Sequence, residues 1–167
     1  DKGHFTLYGP GHRWAIDSGY GNNREPGGRD QTVAHNCVLI DGGGQAISGA
    51  GAGTYGRIVK YEDNQRHSYA LCDAAEAYNT NSKGQPGVTV RHALRHCLFK
   101  RPSGDVPAYA VVLDDIVKDD SEHEFTWLLH TDEDNTIEVG KEDVTILANP
   151  TSGCAFVETP AEAKGRG

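Results

Sequence analysis

The stretch that decides the fold is Val-Thr-Val-Arg-His-Ala-Leu-Arg-His-Cys-Leu, residues 88–98. Valine, histidine and leucine occupy every second position, and threonine, arginine, alanine and cysteine lie between them. Successive side chains of an extended strand point to opposite faces of a sheet. This period of two therefore predicts a strand with one buried and one more polar face.

Shorter runs of the same kind lie on both sides of this stretch and are separated by turn residues such as the glycines and prolines at 9–11, 26–28 and 102–104. No stretch of useful length has the 3.6-residue period of an amphipathic helix. A segment rich in glycine and alanine, residues 42–56, is expected to be a long loop. We predict strands at residues 4–8, 13–17, 36–40, 57–62, 67–74, 88–99, 108–115, 122–130, 136–139, 144–147 and 155–158.

Many short strands without a helix predict an all-β fold, an antiparallel β-sandwich of about ten strands with no substantial helix. The 167 residues suffice for one domain with a real hydrophobic core. We assign residues 1–159 to a single β-sandwich domain and residues 160–167 to a flexible C-terminal tail.

The charge pattern limits the partners that the chain is expected to bind. The formal net charge is −8, which argues against nucleic acid, because binding it requires a basic surface. Arg91, Arg95, Lys100 and Arg101 nevertheless lie in a segment without acidic residues. A local basic groove of this kind is compatible with a polyanionic sugar. No apolar run approaches the length of a membrane span.

The four cysteines leave two interpretations open. None belongs to a Cys-x-x-Cys pair, so a zinc ribbon is not predicted. Cys72 and Cys97 flank a turn-like stretch almost symmetrically, and a hairpin there would make them near neighbours. A disulfide between them is one hypothesis, and buried free thiols are the other.

Two segments combine apolar strand residues with groups that bind metals. Asp17 ends an apolar run before a glycine turn, and His35 opens another apolar run. A carboxylate and an imidazole at strand ends can share a zinc ion when a third ligand joins them. Ordinary polar strand ends are the alternative. If the first two predicted strands form a hairpin, His4 and His12 share a patch with Asp17.

Three segments, taken in order, resemble the heparinase II/III family. They are Gly-His-Phe-Thr-Leu-Tyr at residues 3–8, Ala-Ile-Asp-Ser-Gly-Tyr at 15–20 and Val-Ala-His-Asn-Cys-Val-Leu-Ile at 33–40. Residues 73–78 and 127–130 are similar to later strands of the same domain. The family's proteins are lyases of acidic polysaccharides, in which a helical (α/α) toroid precedes β-sandwich sheets and the active site lies between them.

The resemblance implies a zinc ion held by a histidine, an aspartate and a second histidine, with a structural role beside the cleft. Asp17 and His35 match the last two of these ligands. The first ligand is expected just upstream of Asp1. His4 stands where the family has a small residue, so it is not an obvious substitute for that ligand.

The same resemblance implies β-elimination on a uronate-containing polysaccharide. This reaction needs a base, an acid for the leaving oxygen and neutralisation of the uronate carboxylate. In the family these groups come largely from the toroid, which we expect to be absent from this chain. Tyr20 and Arg24 are candidate substrate contacts, and no catalytic residue is assigned.

We therefore expect the β-sandwich portion of such a lyase, without catalytic activity of its own. The alternative is a non-catalytic structural, self-assembling or glycan-binding module derived from the family. The expected partners are an acidic polysaccharide and either the helical domain or a second copy of the chain. A periplasmic or secreted location is expected from the resemblance.

Overall fold

A computed structural model describes residues 2–9, 11–19, 28–46, 55–80 and 87–147 of the chain. Within these ranges ten strands pair only with antiparallel neighbours. They are β1 Leu7–Gly9, β2 His12–Ala15, β3 Val38–Ile40, β4 Arg57–Asp63, β5 His67–Asp73, β6 His92–Lys100, β7 Tyr109–Val117, β8 Phe125–Trp127, β9 Thr136–Val139 and β10 Val144–Leu147. One short helix, α1 Ala75–Asn79, and a 3-10 turn, Thr32–Ala34, complete the described elements.

The largest sheet has four strands in the order β4-β5-β6-β7, so each strand pairs with its neighbour in the chain. The strands β3 and β8 form a second sheet, and the hairpins β1-β2 and β9-β10 form two more. The prediction of an all-β, sandwich-like fold with about ten antiparallel strands and no substantial helix is thereby confirmed. The predicted strand at residues 155–158 and the predicted tail at 160–167 lie outside the described residues.

The hydrophobic core lies between β3, α1 and the start of β6 in the large sheet. Its buried members are Val38, Ile40, Ala74, Tyr78, Val90 and Ala93, with Ala75, Val88 and Ile116 packed against them. The Tyr78 hydroxyl donates a hydrogen bond of 2.6 Å to the carbonyl of Val38, which ties α1 to β3. Burial raises the pKa of Tyr78 to about 12, so its hydroxyl stays protonated and remains a donor.

Residues 88–98 form a strand only from His92 onward. Thr89 has a φ of 58°, in the left-handed region that interrupts an extended run. The side chain of Asn79 accepts from the amide of Val90 and donates to its carbonyl, in place of a neighbouring strand. The predicted start at residue 88 is therefore four residues too early, while residues 88 and 90 still pack on the core.

The alternation along β6 holds, and the buried face is the one that carries Ala93 and Arg95, with exposed fractions of 3% and 5%. Arg95 is tolerated there because Asp114 of β7 accepts from Nε at 2.7 Å and from Nη2 at 2.9 Å. The carbonyls of Gly3 and of the buried Asn36 both accept from Nη1.

The disulfide hypothesis for Cys72 and Cys97 is not supported, since both residues carry free thiols. The predicted hairpin exists, but its register pairs Cys72 with Arg95 and Cys97 with Ala70. The two cysteines are thus diagonal neighbours, about 7–8 Å apart at Cα. That separation exceeds what a disulfide spans without backbone movement.

The basic segment around β6 does not form an unneutralised groove. Arg91 forms a bidentate pair with Asp120, and Arg101 donates to Asp63 at 2.8 Å. With the Arg95 pair, three of the four cations in this segment have a carboxylate partner.

No helix among the described residues is long and apolar enough to cross a membrane.

A charged cluster joins the turn after β3 to the loop after β7. His123 contacts Asp41 Oδ2 through Nδ1 and Asp119 Oδ1 through Nε2, both at 2.9 Å. Lys118 and the amide of Glu124 also donate to Asp41. The hydrogen bond to Asp119 raises the pKa of His123, and Lys118 lowers that of Asp41 to about 2. Both ring nitrogens face carboxylates, so this cluster favours the doubly protonated imidazole.

The buried pair on β6 and β7 is expected to dominate the stability of the large sheet. Arg95→Met leaves the carboxylate of Asp114, whose side chain is only 16% exposed, without its main partner. We expect a loss of about 3 kcal/mol or more in the free energy of unfolding, measured by urea denaturation. The control is Arg91→Met, which breaks a well-exposed pair and should leave the urea midpoint nearly unchanged. Equal effects of the two substitutions would contradict this assignment.

The His123 cluster predicts a pH dependence with a defined sign. Because the pKa of His123 is raised on folding, its contribution is complete below the unfolded value of about 6.5 and is lost as pH rises through the folded value. The urea midpoint of the wild-type protein should therefore fall relative to that of His123→Gln between pH 6 and 9. A difference between the two proteins that stays constant across this range would count against the ionic cluster.

Candidate metal centre

The hairpin β1-β2 determines where two of the candidate ligands lie. Leu7 pairs with Ala15 at its open end, so His4 before β1 and Asp17 after β2 leave the hairpin on the same side. His12 lies at the other end, opposite Gly9. The hairpin thus brings only His4, of the two histidines considered, to Asp17.

The third member comes from the segment that enters β3. His35 follows the 3-10 turn and has an extended backbone, with φ −131° and ψ 159°. Its Nε2 lies 3.0 Å from the carbonyl of Arg29. A carbonyl oxygen only accepts, so Nε2 carries the proton and fixes the orientation of the ring.

His4, Asp17 and His35 form one cluster whose potential ligand atoms all lie within 4.8 Å of one another. Asp17 Oδ2 is 3.2 Å from His4 Nε2 and 3.5 Å from His35 Nδ1. The two imidazole rings meet edge to face, with centroids 5.4 Å apart. Asp17 and His35 were predicted as ligands, and His4 was expected only to share a patch with Asp17. The structure includes His4 in the cluster.

The carboxylate of Asp17 is oriented by the turn that follows it. Its Oδ1 accepts a hydrogen bond of 2.7 Å from the amide of Gly19. Gly19 has a φ of 89°, which a glycine adopts without strain. The second oxygen, Oδ2, is thereby directed at the two histidines.

Asn36 holds the three segments of the site together and is fully buried. Its Nδ2 donates to the carbonyls of Phe5 and Ile16, at 2.8 and 3.0 Å. Its Oδ1 accepts from the amide of His130 at 2.6 Å. The backbone amide of Asn36 donates to His4 Nδ1 at 3.1 Å. Sequence reasoning missed this role, although the residue stands directly after His35.

Neighbouring groups also shape the chemistry of the site. Burial lowers the pKa of His4, although Asp17 opposes the shift, so the neutral imidazole is favoured. Cys37 is close in sequence, but burial raises the pKa of its thiol to about 11. Its Sγ lies 3.7 Å from the carbonyl of Lys2, and a protonated thiol is not a metal ligand.

The donor set of Asp17 and His35 fits a zinc ion. A metal-binding histidine commonly donates its second N–H to a carbonyl, as His35 does to Arg29. Its Nδ1 then presents a lone pair on the side of Asp17 Oδ2, and imidazole and carboxylate are common zinc ligands. Tyr20, Arg24 and Asp1, all named in the sequence analysis, lie outside the described residues.

Arg29 is a cation at this site that the sequence analysis did not single out. Its side chain is exposed, and its Nη1 would lie 3.9 Å from a Cβ added to Gly19. The guanidinium therefore borders the turn after Asp17. A planar cation in this position suits recognition of a carboxylate.

Fold and site together define an antiparallel β-sandwich domain with a His–Asp–His cluster at the open end of a hairpin. The model of the family described as Heparinase II/III-like, C-terminal, matches residues 1–165. The chain belongs to this family, as the resemblance indicated. A search of curated proteins found no match to the chain.

One detail of the resemblance needs correction. Residues 73–78 were expected to form a later strand, but Asp73 ends β5 and the following residues form α1. The side chain of Asp73 accepts from the amide of Ala75 at 3.0 Å. An aspartate that satisfies a backbone amide two residues later favours a turn or a helix start over a continuing strand.

Asn36→Ala should destabilise the domain and disorder the cluster together. The substitution leaves two partly buried carbonyls and one amide without their partner, and we expect a loss of about 3 kcal/mol in unfolding free energy. Asn64→Ala is the matched control, because Asn64 also bonds its neighbours but is exposed. Its expected cost is about 1 kcal/mol or less. Urea denaturation of both variants tests this, and a small loss for Asn36→Ala would refute its structural role.

Proposed function

We propose that this domain is the β-sandwich portion of a lyase that cleaves an acidic, uronate-containing polysaccharide by β-elimination, and that Asp17 and His35 hold a structural zinc ion beside the glycan. Membership of the Heparinase II/III-like, C-terminal family supports the lyase lineage. The convergence of His4, Asp17 and His35 is the observation that carries the metal centre.

The proposed zinc stabilises the loops that border the site. Asp17 opens the turn at Gly19, and His35 is anchored to the carbonyl of Arg29. A metal ion bound by these two ligands would therefore link the two loops and restrict the position of the Arg29 side chain. Metal ligands on separate segments commonly serve such a structural role.

The chain's own contribution to the reaction is substrate recognition. The carbon that carries the uronate carboxylate becomes acidic enough to lose its proton when the charge of that carboxylate is neutralised. The exposed guanidinium of Arg29 can supply a bidentate contact to the carboxylate. Tyr20 and Arg24 are proposed as further contacts with the glycan. The base and acid are proposed to come from a helical domain, which we count among the partners of this chain.

A second candidate function is self-association through one face of the large sheet. Val111 and Leu113 of β7 are 44% and 55% exposed, and the register places them beside Leu98 and His96 of β6. An apolar strip of this kind favours contact with another protein surface. In this second candidate function a second copy of the chain covers the strip, whereas in the first a helical domain would cover it. Either function is compatible with the proposed periplasmic or secreted location.

Metal analysis tests the first proposal directly. The purified protein, dialysed with zinc and then against buffer, is expected to retain about one zinc ion per chain. Asp17→Ala and His35→Ala should lose most of it, because each removes a ligand. The exposed pair His92 and Asp115, with 2.8 Å between Nε2 and Oδ1, provides His92→Ala and Asp115→Ala as matched controls that should retain zinc.

The outcomes separate the two candidates. Zinc retained by the wild-type protein and by the controls, and lost from the two ligand variants, supports the metal centre. Wild-type protein without zinc would exclude it. If that protein also forms a concentration-dependent dimer in sedimentation velocity, the non-catalytic module becomes the better description.

A further inference from the structure

The two histidines of the cluster differ in which ring nitrogen carries the proton. In His4, Nδ1 receives the amide of Asn36 at 3.1 Å. A backbone amide can only donate, so Nδ1 presents its lone pair and the proton of the neutral ring is on Nε2. In His35, Nε2 faces the carbonyl of Arg29 and carries the proton.

Of the two ring nitrogens that face Asp17, one therefore carries a proton and the other has a lone pair. His4 presents a protonated Nε2, 3.2 Å from Asp17 Oδ2. His35 presents Nδ1, 3.5 Å from the same oxygen, and in the neutral ring this atom has a lone pair. One histidine is thus a donor toward the carboxylate, and the other is a potential ligand beside it.

His4 cannot bind a metal through Nε2 while it keeps the bond from Asn36. Binding would require loss of the last ring proton, which leaves an imidazolate, or a ring flip that turns a carbon toward the Asn36 amide. That amide belongs to a residue with no exposed surface, so the flip would leave a buried donor without an acceptor. Neither change is needed at His35.

We propose that His4 is a positioning residue that donates a hydrogen bond to Asp17, and that it is not a ligand of the zinc centre. The proposal rests on the zinc centre proposed above. His4 Nε2 is buried and makes no hydrogen bond in the structure, although Asp17 Oδ2 lies only 3.2 Å away. The proposed bond gives this buried N–H the acceptor that a buried donor normally has. Asp17 then has Gly19 on Oδ1 and His4 on Oδ2.

These hydrogen bonds limit the lone pairs with which Asp17 could bind a metal ion. Oδ1 is engaged by the Gly19 amide, and one lone pair of Oδ2 is engaged by His4. The remaining lone pair of Oδ2 can bind the ion on the side of His35. The described residues then supply two ligands, Asp17 and His35. Any further ligands of a bound ion would be water or groups outside the described residues.

Imidazole nitrogen-15 spectra of the metal-free protein at pH 8 test the tautomer without any metal. Two-bond proton–nitrogen correlations should show His4 as the Nε2-protonated form, with its signals identified by their loss in His4→Gln. An Nδ1-protonated His4 would overturn the proposal.

Zinc affinities, measured by competition with a chelator, test the role in the loaded protein. His4→Gln replaces the ring with an amide that can also donate to Asp17, and it should bind zinc within about threefold of the wild type. His4→Ala removes the donor and should bind about 10-fold to 100-fold more weakly, as for other partners of metal ligands. His35→Gln removes a ligand and should bind more weakly than either. If His4→Gln loses as much affinity as His35→Gln, His4 is a ligand and the proposal is wrong.

These measurements also separate this inference from the function on which it rests. Wild-type protein that binds no zinc would exclude the metal centre, while an Nε2-protonated His4 would still support its bond to Asp17. Zinc binding with an Nδ1-protonated His4, or with a His4→Gln defect equal to that of His35→Gln, would exclude the inference and leave the metal centre intact. Cobalt spectra distinguish these cases further, because loss of a ligand should change the visible absorption bands far more than loss of a hydrogen bond to Asp17.

Discussion

One buried cation organises the half of the domain that carries the candidate site. The guanidinium of Arg95 is 5% exposed, and a charge in such a place must be neutralised and fully hydrogen-bonded. Asp114 neutralises it from the next strand, and the carbonyls of Gly3 and Asn36 accept hydrogen bonds from its Nη1. The carbonyl of Gly3 directly precedes His4, and Asn36 directly follows His35. Arg95, which stabilises the sheet, therefore also holds the backbone beside both histidines.

Asn36 extends this network from the sheet to the hairpin. Its carbonyl binds Arg95, and its side chain binds the carbonyl of Ile16, directly before Asp17. An amide suits this position, because it must donate twice and also accept from the amide of His130. A carboxylate would accept but not donate there, and an apolar residue would leave several buried groups without partners. Each member of the cluster thus has a neighbouring backbone group held by the core.

Much of this architecture is readable from the sequence, and the rest depends on contacts between distant segments. Alternation and turn residues predict most strands, and the resemblance leads to Asp17 and His35. The burial of Arg95 was not predicted, because it requires Asp114 on a strand that only the register brings opposite. The same holds for His4, since its proximity to His35 depends on how the hairpin packs. The Cys72–Cys97 hypothesis was wrong because symmetry about a turn does not determine the register.

The hydrogen bonds of Arg95 and Asn36 also limit how much a metal ion would contribute to folding. In small domains whose metal ligands have no other support, folding depends on the ion. Here Arg95 and Asn36 hold the backbone beside His4, Asp17 and His35 through hydrogen bonds that involve no metal. In the proposed centre, folding of the sandwich would therefore depend less on the ion than it does in those domains. The ion would act on the exposed parts of the site, the turn at Gly19 and the loop at Arg29. In the proposed function a glycan meets the site through these two segments, so the ion would set the shape of the binding surface while the buried network maintains the fold.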